Sequence, residues 1–170
     1  MEASELTVES AVRQATEGDS RRLKEIIDLS FPRFYRFFAT HSVNSEEGKV
    51  FVAETRDALA GFAKLIEFNV GNIKYGCILW VAVDPTQRRK GYAGVLVNAG
   101  YEYLTRIGTR EVFASVQRRN KASMATFRKD GFMQVGFFAL SRHFGWRLFS
   151  FYSSIWYAPG EIVLVKHPQK

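Results

Sequence analysis

Residues 79–97 read LWVAVDPTQRRKGYAGVLV: an apolar run that stops at Asp84-Pro85, a short basic stretch, and an apolar pattern of helical period that begins at once. A chain with this junction must feed a buried strand directly into a helix whose N-terminus stays open. The first amides of a helix lack intrahelical acceptors and the macrodipole is positive there, so such a loop makes an anion cradle. Gly91 and Gly94 let a ligand come close to the main chain, and Arg88, Arg89 and Lys90 supply countercharge. The competing reading is a plain basic turn, but three adjacent cations at a helix start oppose the dipole unless an anion lies among them. Two familiar nucleotide loops are excluded, because neither Gly-x-x-x-x-Gly-Lys-Ser/Thr nor Gly-x-Gly-x-x-Gly follows a strand here.

The same periodicities organise the rest of the chain. Ala93, Leu96, Val97, Gly100, Leu104 and Ile107 fall on one face of the helix after the loop, and Gly108 stops it. Upstream, residues 6–15 read as a first strand and Thr16-Glu17-Gly18-Asp19 as a turn with Asp19 as N-cap. Leu23, Ile26 and Ile27 then mark a helix that Pro32 interrupts, and residues 33–40 give a second short helix rich in Phe. Residues 50–54 and 58–68 form a hairpin around Thr55-Arg56-Asp57, and a turn near 69–72 leads into a strand over 73–83. Beyond the loop helix the pattern predicts a strand at 111–116, a helix at 121–129, a strand at 132–140 and a strand at 161–166. No repeat or linker divides the chain, so residues 1–170 read as one domain.

Composition narrows the class. A chain of 170 residues with 46% hydrophobic and 24% charged residues can bury a sizeable core, which excludes disorder over most of its length. Cys77 stands alone, which excludes an intramolecular disulfide and a cysteine-rich metal site, and its apolar neighbours make it a small buried hydrophobe. No metal is expected. The net charge of +7 permits attraction to polyanions or to a phosphate-rich cofactor. Its basic residues collect at the loop and again at Arg118, Arg119, Lys121, Arg128 and Lys129. With no basic-then-apolar leader and no run of roughly 20 apolar residues, the expectation is a cytoplasmic protein without a transmembrane segment.

Arg88-Arg89-Lys90-Gly91-Tyr92-Ala93 fits Arg/Gln-x-x-Gly-x-Gly/Ala and resembles the acyl-CoA pyrophosphate loop of the GNAT acetyltransferase superfamily. The segment from Asn120 to Gly131-Phe132 is similar to a later segment of that family, in which an Asn precedes a helix and Gly-Phe closes it. Val12 to Asp19 is similar to its first strand and turn, so the resemblance spans about residues 10–140. It implies an α/β (α+β) GNAT fold, a central mixed and mostly antiparallel sheet of about seven strands flanked by about four helices. It implies acetyl-CoA as co-substrate and direct transfer of an acetyl or other acyl group to a primary amine of a small molecule or protein. On this reading the main chain of Val81, Ala82 and Val83 pairs with the pantetheine arm. Arg88, Arg89, Lys90, Gly91, Tyr92, Ala93 and Gly94 hold the pyrophosphate, and Asn120 and Phe127 belong to the same groove.

Phe127 departs from the pattern, since the family often has a Tyr there whose hydroxyl protonates the departing thiolate. That role is not carried over; Phe127 lines the groove, and a thiol of pKa around 8.5 leaves tolerably without an acid. Tyr92, Tyr152 and Tyr157 stay open as alternative donors. For the base that neutralises the attacking ammonium, Glu67 is the first candidate, on the strand beside the one that ends at the loop, and Glu54 the second. Each competes with the reading of a solvated surface carboxylate.

Residues 137–157 hold nine of the chain's 25 aromatic residues, together with Arg142, His143 and Arg147. The resemblance implies a shorter passage from the sixth strand to the seventh, so this aromatic-rich insertion, at about 141–158, is where the chain looks individual. It fits a wall of the acceptor pocket, a homodimer contact, a membrane-surface contact or an ordinary core helix or strand pair. Two other functions compete with acetyl transfer: an acyl-CoA-binding domain with weak or no turnover, motivated by Phe127, and a basic nucleic-acid-binding domain, motivated by charge alone. No specific nucleic acid is expected.

Overall fold

A computed structural model of the chain describes residues 12–56 and 58–168. Seven strands form one sheet: β1 (Val12–Gln14), β2 (Lys49–Glu54), β3 (Leu59–Val70), β4 (Ile73–Val83), β5 (Val112–Gln117), β6 (Met133–Gln134) and β7 (Glu161–Lys166). Their order is β1-β2-β3-β4-β5-β7-β6. β4 and β5 run parallel, and every other neighbouring pair is antiparallel. Six α-helices cover the sheet: α1 (Ser20–Ser30), α2 (Arg33–Asn44), α3 (Tyr92–Arg106), α4 (Lys121–Lys129), α5 (Phe137–Phe144) and α6 (Leu148–Ser154). α3 and α4 pack on one face through Leu65, Ile78, Leu96, Leu104 and Phe127. The other face carries α1 and α2 on a cluster around Phe62, and α5 and α6 on a cluster around Cys77 and Phe113.

Local chemistry explains most boundaries. α1 buries Leu23, Ile26 and Ile27 and ends where Pro32 forbids continuation, and the Phe31 amide closes on Ile27 O at 3.1 Å. α2 runs to Asn44, past the expected end at residue 40, because Ala39 and Ser42 bury a further turn. Asp19 does not cap α1. Its carboxylate accepts from the Thr16 amide at 2.8 Å and pairs with Arg13, closing a 3-10 turn instead. The expected first strand is described only from Val12, and residues 6–11, like Asp57 of the hairpin, lie outside the described residues.

The expected strand over 132–140 is corrected to two paired residues, Met133 and Gln134, and the chain is helical from Phe137. An apolar run of this kind satisfies either period, and here the four-residue spacing of Leu140 and Phe144 prevails, because both side chains reach the cluster of Cys77, Phe113 and Phe151. The aromatic insertion therefore adds two helices, α5 and α6, to the four expected.

One irregularity in the sheet positions everything that follows. Lys64 lies opposite Trp80 but Leu65 lies opposite Ile78, so Leu79 is an extra residue in β4, a β-bulge. Alternation breaks there: Leu79 and Trp80 both face the side of α1, α2, α5 and α6, while Val81 and Val83 face α3. β4 pairs with β5 only at Gly76, Cys77 and Ile78, opposite Val112, Phe113 and Ala114. Beyond the bulge, residues 80–83 pair with β3 alone and residues 115–117 with β7 alone, which opens a wedge between the two parallel strands. Gly61 fixes the mouth of the wedge from behind. It lies opposite Val83, and a Cβ there would meet Ala82 O at 2.5 Å. Gly61→Ala is expected to cost about 2 kcal/mol through backbone displacement, read as a lower midpoint in urea denaturation.

Candidate functional site: a wedge ending in an anion cradle

Asp84 organises the junction between β4 and α3. It is buried, its Oδ1 accepts from the Thr86 amide at 2.8 Å and from Thr86 Oγ1 at 2.6 Å, and its Oδ2 accepts from Arg22 Nη2 at 2.5 Å. The Thr86 hydroxyl above all, with the Thr86 amide and Arg22, holds this carboxyl below the ordinary range against the opposing effect of burial. The Asp84 amide donates to Ala60 O at 2.8 Å, so the loop is tied to β3 as well as to α1.

From Pro85 the chain makes a short 3-10 turn, then two left-handed residues, Arg89 at φ 63° and Gly91 at φ 90°. Left-handed residues in a tight loop turn successive amides toward a common centre. The first amide of α3 to find a backbone carbonyl is that of Val95, which bonds Gly91 O at 3.2 Å. Among the described residues the amides of Tyr92, Ala93 and Gly94 have none. Arg88, Arg89 and Lys90 are exposed; Arg88 Nε donates to Val83 O at 3.2 Å and Lys90 Nζ to Gln87 Oε1 at 2.9 Å. None of the three pairs with a carboxylate among the described residues. Three open amides beside three uncompensated cations fit a pyrophosphate.

The wedge has two sides. Toward α3 and α4, Asn120 caps α4 by accepting from the Ser123 amide at 3.1 Å, and Phe127 is 3% exposed, its ring edge-on to Phe132 at 5.1 Å. Phe127 is thus part of the core under the helices rather than an open groove wall. On the opposite side, Trp80 meets Phe31 at 5.3 Å and Tyr35 at 6.1 Å, and its indole Nε1 is buried without a partner among the described residues. Across the wedge Ser115 faces the same way as Phe113, and its hydroxyl donates to Glu161 Oε2 at 2.5 Å. The Ala158 amide also donates to that oxygen, at 3.0 Å, while Oε1 accepts nothing among the described residues. The Tyr157 hydroxyl donates to the main-chain oxygen of Glu161 at 3.4 Å, its ring centroid lies 4.6 Å from that of Tyr152, and burial raises the Tyr152 hydroxyl above its ordinary range.

The structure therefore brings Val81, Ala82, Val83 and the residues 88–94 together and leaves Glu67 apart. Glu67 lies opposite Gly76, seven positions along β4 from Val83, roughly 23 Å at ~3.3 Å per residue. It is exposed, 3.3 Å from Lys74 Nζ, and shares a cavity of about 240 Å³ with Leu104 and Ile107 at the far end of α3. Glu54 is at the correct end of the sheet but two strands away, held by Arg13 Nε at 2.8 Å. Sequence reasoning missed Glu161. Its signal was that residues 131–160 contain no Asp or Glu, so it is the first carboxylate after the aromatic segment. It also missed Lys64, fully buried in β3, which donates to Ser45 O at 3.3 Å and is lowered by burial; its cavity of about 290 Å³ includes none of residues 79–94. Cys77 is buried as expected, and burial pushes its thiol up, so it stays protonated.

Solved structures share this fold. An acetyltransferase of Bacillus subtilis in complex with CoA matches at a TM-score of 0.68 and 18% identity, over 94% of this chain and 99% of that one. The ribosomal-protein-S18-alanine N-acetyltransferase of Escherichia coli matches at 0.67 and 17% identity, over 94% of each chain. The chain belongs to the acetyltransferase (GNAT) family, whose model matches residues 13–132. It is also 33% identical over 92 residues to the mycothiol acetyltransferase of Amycolatopsis mediterranei (strain U-32), a match over 51% of this chain. That match spans 31% of the relative's length.

The Asp84 anchor makes a pH prediction. A carboxyl depressed in the folded state contributes stability above its unfolded pKa of about 3.9 and loses it as pH falls through the folded value. Asp84→Asn is expected to cost about 1–3 kcal/mol at neutral pH. In urea denaturation at several pH values, its decline toward acid is expected to be shallower than that of the parent chain.

Proposed function

We propose that residues 1–170 form one domain that transfers an acetyl group from acetyl-CoA to a primary amine. The observation that carries this reading is the set of three open amides of α3, flanked by three cations with no carboxylate partner among the described residues, at the open end of a wedge between two strand edges that do not pair with each other. Family membership and the CoA complex of a solved relative support it. Tyr92, Ala93 and Gly94 offer their amides and Arg88, Arg89 and Lys90 their charge to the pyrophosphate, with Gly91 supplying the turn. The edge of Val81, Ala82 and Val83 that faces away from β3 pairs with the pantetheine arm as an added strand would, and an N–H there polarises the thioester carbonyl. Asn120 sets α4, and Phe127 beneath it, against the α3 side of the groove.

The acceptor approaches from the Trp80 side. Glu161 replaces Glu67 as the base in this reading, because its unengaged Oε1 stands on that side of the wedge while Ser115 and Ala158 hold Oε2. It takes a proton from the ammonium, directly or through one water; the amine nitrogen then bonds the carbonyl carbon, the carbon–sulfur bond breaks, and the second proton that the nitrogen sheds passes to water. With Phe127 in place of a hydroxyl, the sulfur departs as thiolate or takes a proton from Tyr152 or Tyr157. A lone buried thiol suits the reducing cytoplasm. No helix among the described residues is long and apolar enough to cross a membrane. Phe127 also favours a second reading, a domain that binds acetyl-CoA and turns over little.

Calorimetry is expected to show CoA and acetyl-CoA binding in the range of roughly 1 μM to 1 mM. Gly91→Glu is expected to weaken that affinity by about 100-fold or more, by placing a carboxylate in the cradle. Gly91→Ala, whose Cβ meets nothing within 4 Å but carries the same strain at φ 90°, is the control for the turn and is expected to lose less affinity than Gly91→Glu. An unchanged Kd in a folded Gly91→Glu protein contradicts the placement. Across a panel of primary amines, Glu161→Gln is expected to lower kcat by about 10²–10⁴ without changing the affinity for acetyl-CoA. Binding without turnover in the parent chain favours the second reading.

A further inference from the structure

Two stretches of the chain, residues 29–45 and 131–160, contain no Asp or Glu, and both are rich in aromatic residues. The fold brings them together: Phe38 of α2 meets Trp156, just past α6, at 6.4 Å, and Phe38 also touches Phe34 at 5.1 Å and Phe37 at 5.5 Å. The inner sides of these helices are already anchored, since Ala39, Ser42, Phe151 and Ile155 are buried. Their outer sides nevertheless present large rings to solvent, with Phe34 69%, Phe37 71%, Trp146 86% and Phe149 83% exposed. These rings are not the product of loose packing, because each helix has a filled inner face.

Cations accompany them. Arg33, Arg36, Arg142 and Arg147 are exposed, and none pairs with a carboxylate among the described residues. The Arg147 guanidinium lies 4.9 Å over the Trp146 ring. A protein surface that is at once apolar, aromatic and cationic requires a complement that is apolar and anionic. A second copy of this chain does not provide one. A two-fold contact sets the same patch against itself, so the arginines would face arginines with no carboxylate between them. An anionic lipid leaflet provides both, with phosphates at the depth of the guanidinium groups and acyl chains at the depth of the rings.

We infer that the α2–α6 face docks on an anionic phospholipid bilayer, with Phe34, Phe37, Trp146 and Phe149 in the boundary between headgroups and acyl chains. α2 also carries Tyr35, which contacts Trp80 in the wedge, so docking sets that side of the wedge beside the membrane. The inference stands on this surface alone and does not depend on the acetyl-transfer reading.

The test is co-sedimentation of the full chain with vesicles of phosphatidylcholine, with and without about a third phosphatidylglycerol, read together with tryptophan emission. The expected result is binding at least ~10-fold tighter to the anionic vesicles, with a blue shift of the emission and loss at high salt. Phe37→Ser combined with Phe149→Ser, one exposed ring from each helix, is expected to weaken that binding by ~10-fold or more. The same variant is expected to leave thermal unfolding and CoA affinity unchanged. Four results would overturn the proposal: no binding to either vesicle, equal binding to both, unchanged binding by the variant, or a parent dimer that the variant converts to monomer. The last assigns the face to a second copy of the chain.

Discussion

Leu79 is one residue more than β3 can pair with, and the candidate site follows from that surplus. A bulge sharpens local twist and ends regular pairing, and β4 leaves β5 immediately before Leu79, after three positions. Without it, the parallel pair would continue toward Gln117 and the space between them would fill with ladder hydrogen bonds. With it, residues 79–83 keep an unpaired edge, and Leu79 and Trp80 turn together toward α1, α2, α5 and α6. Two consequences that look separate, a main-chain edge for a ligand and an aromatic lining on one side, come from the same inserted residue.

The loop completes what the bulge begins. Asp84 spends its carboxylate on Thr86 and Arg22, so it fixes the loop without neutralising Arg88, Arg89 or Lys90. The cradle is left with repulsion among its own cations and with amides that have no acceptor among the described residues. An anion that relieves both binds the folded state alone and stabilises it by linkage.

Much of this was legible in the chain itself. The cradle, α4 and its Asn120 cap, and the β3–β4 hairpin follow from short-range chemistry: glycine at a turn, an amide acceptor before a helix, alternation within a strand. The bulge was not legible, because Leu79 sits in an unbroken apolar run and an insertion of one residue leaves no mark on composition. The distance of Glu67 from the loop was not legible for the same reason: being on the neighbouring strand fixes lateral position, but distance along the strand depends on register. Glu161 lies far from the loop in sequence and reaches the wedge only because β7 inserts between β5 and β6. The start of α5 was ambiguous because Phe-Phe-Ala-Leu suits either period until its partners are known.

The most direct test is the amide spectrum of the chain titrated with CoA. If the bulge-opened wedge and the cradle form one groove, the largest shifts fall together on the amides of Tyr92, Ala93 and Gly94 and on those of residues 79–83. Shifts centred on the cavities beside Glu67 or Lys64, with residues 79–94 unmoved, would contradict it.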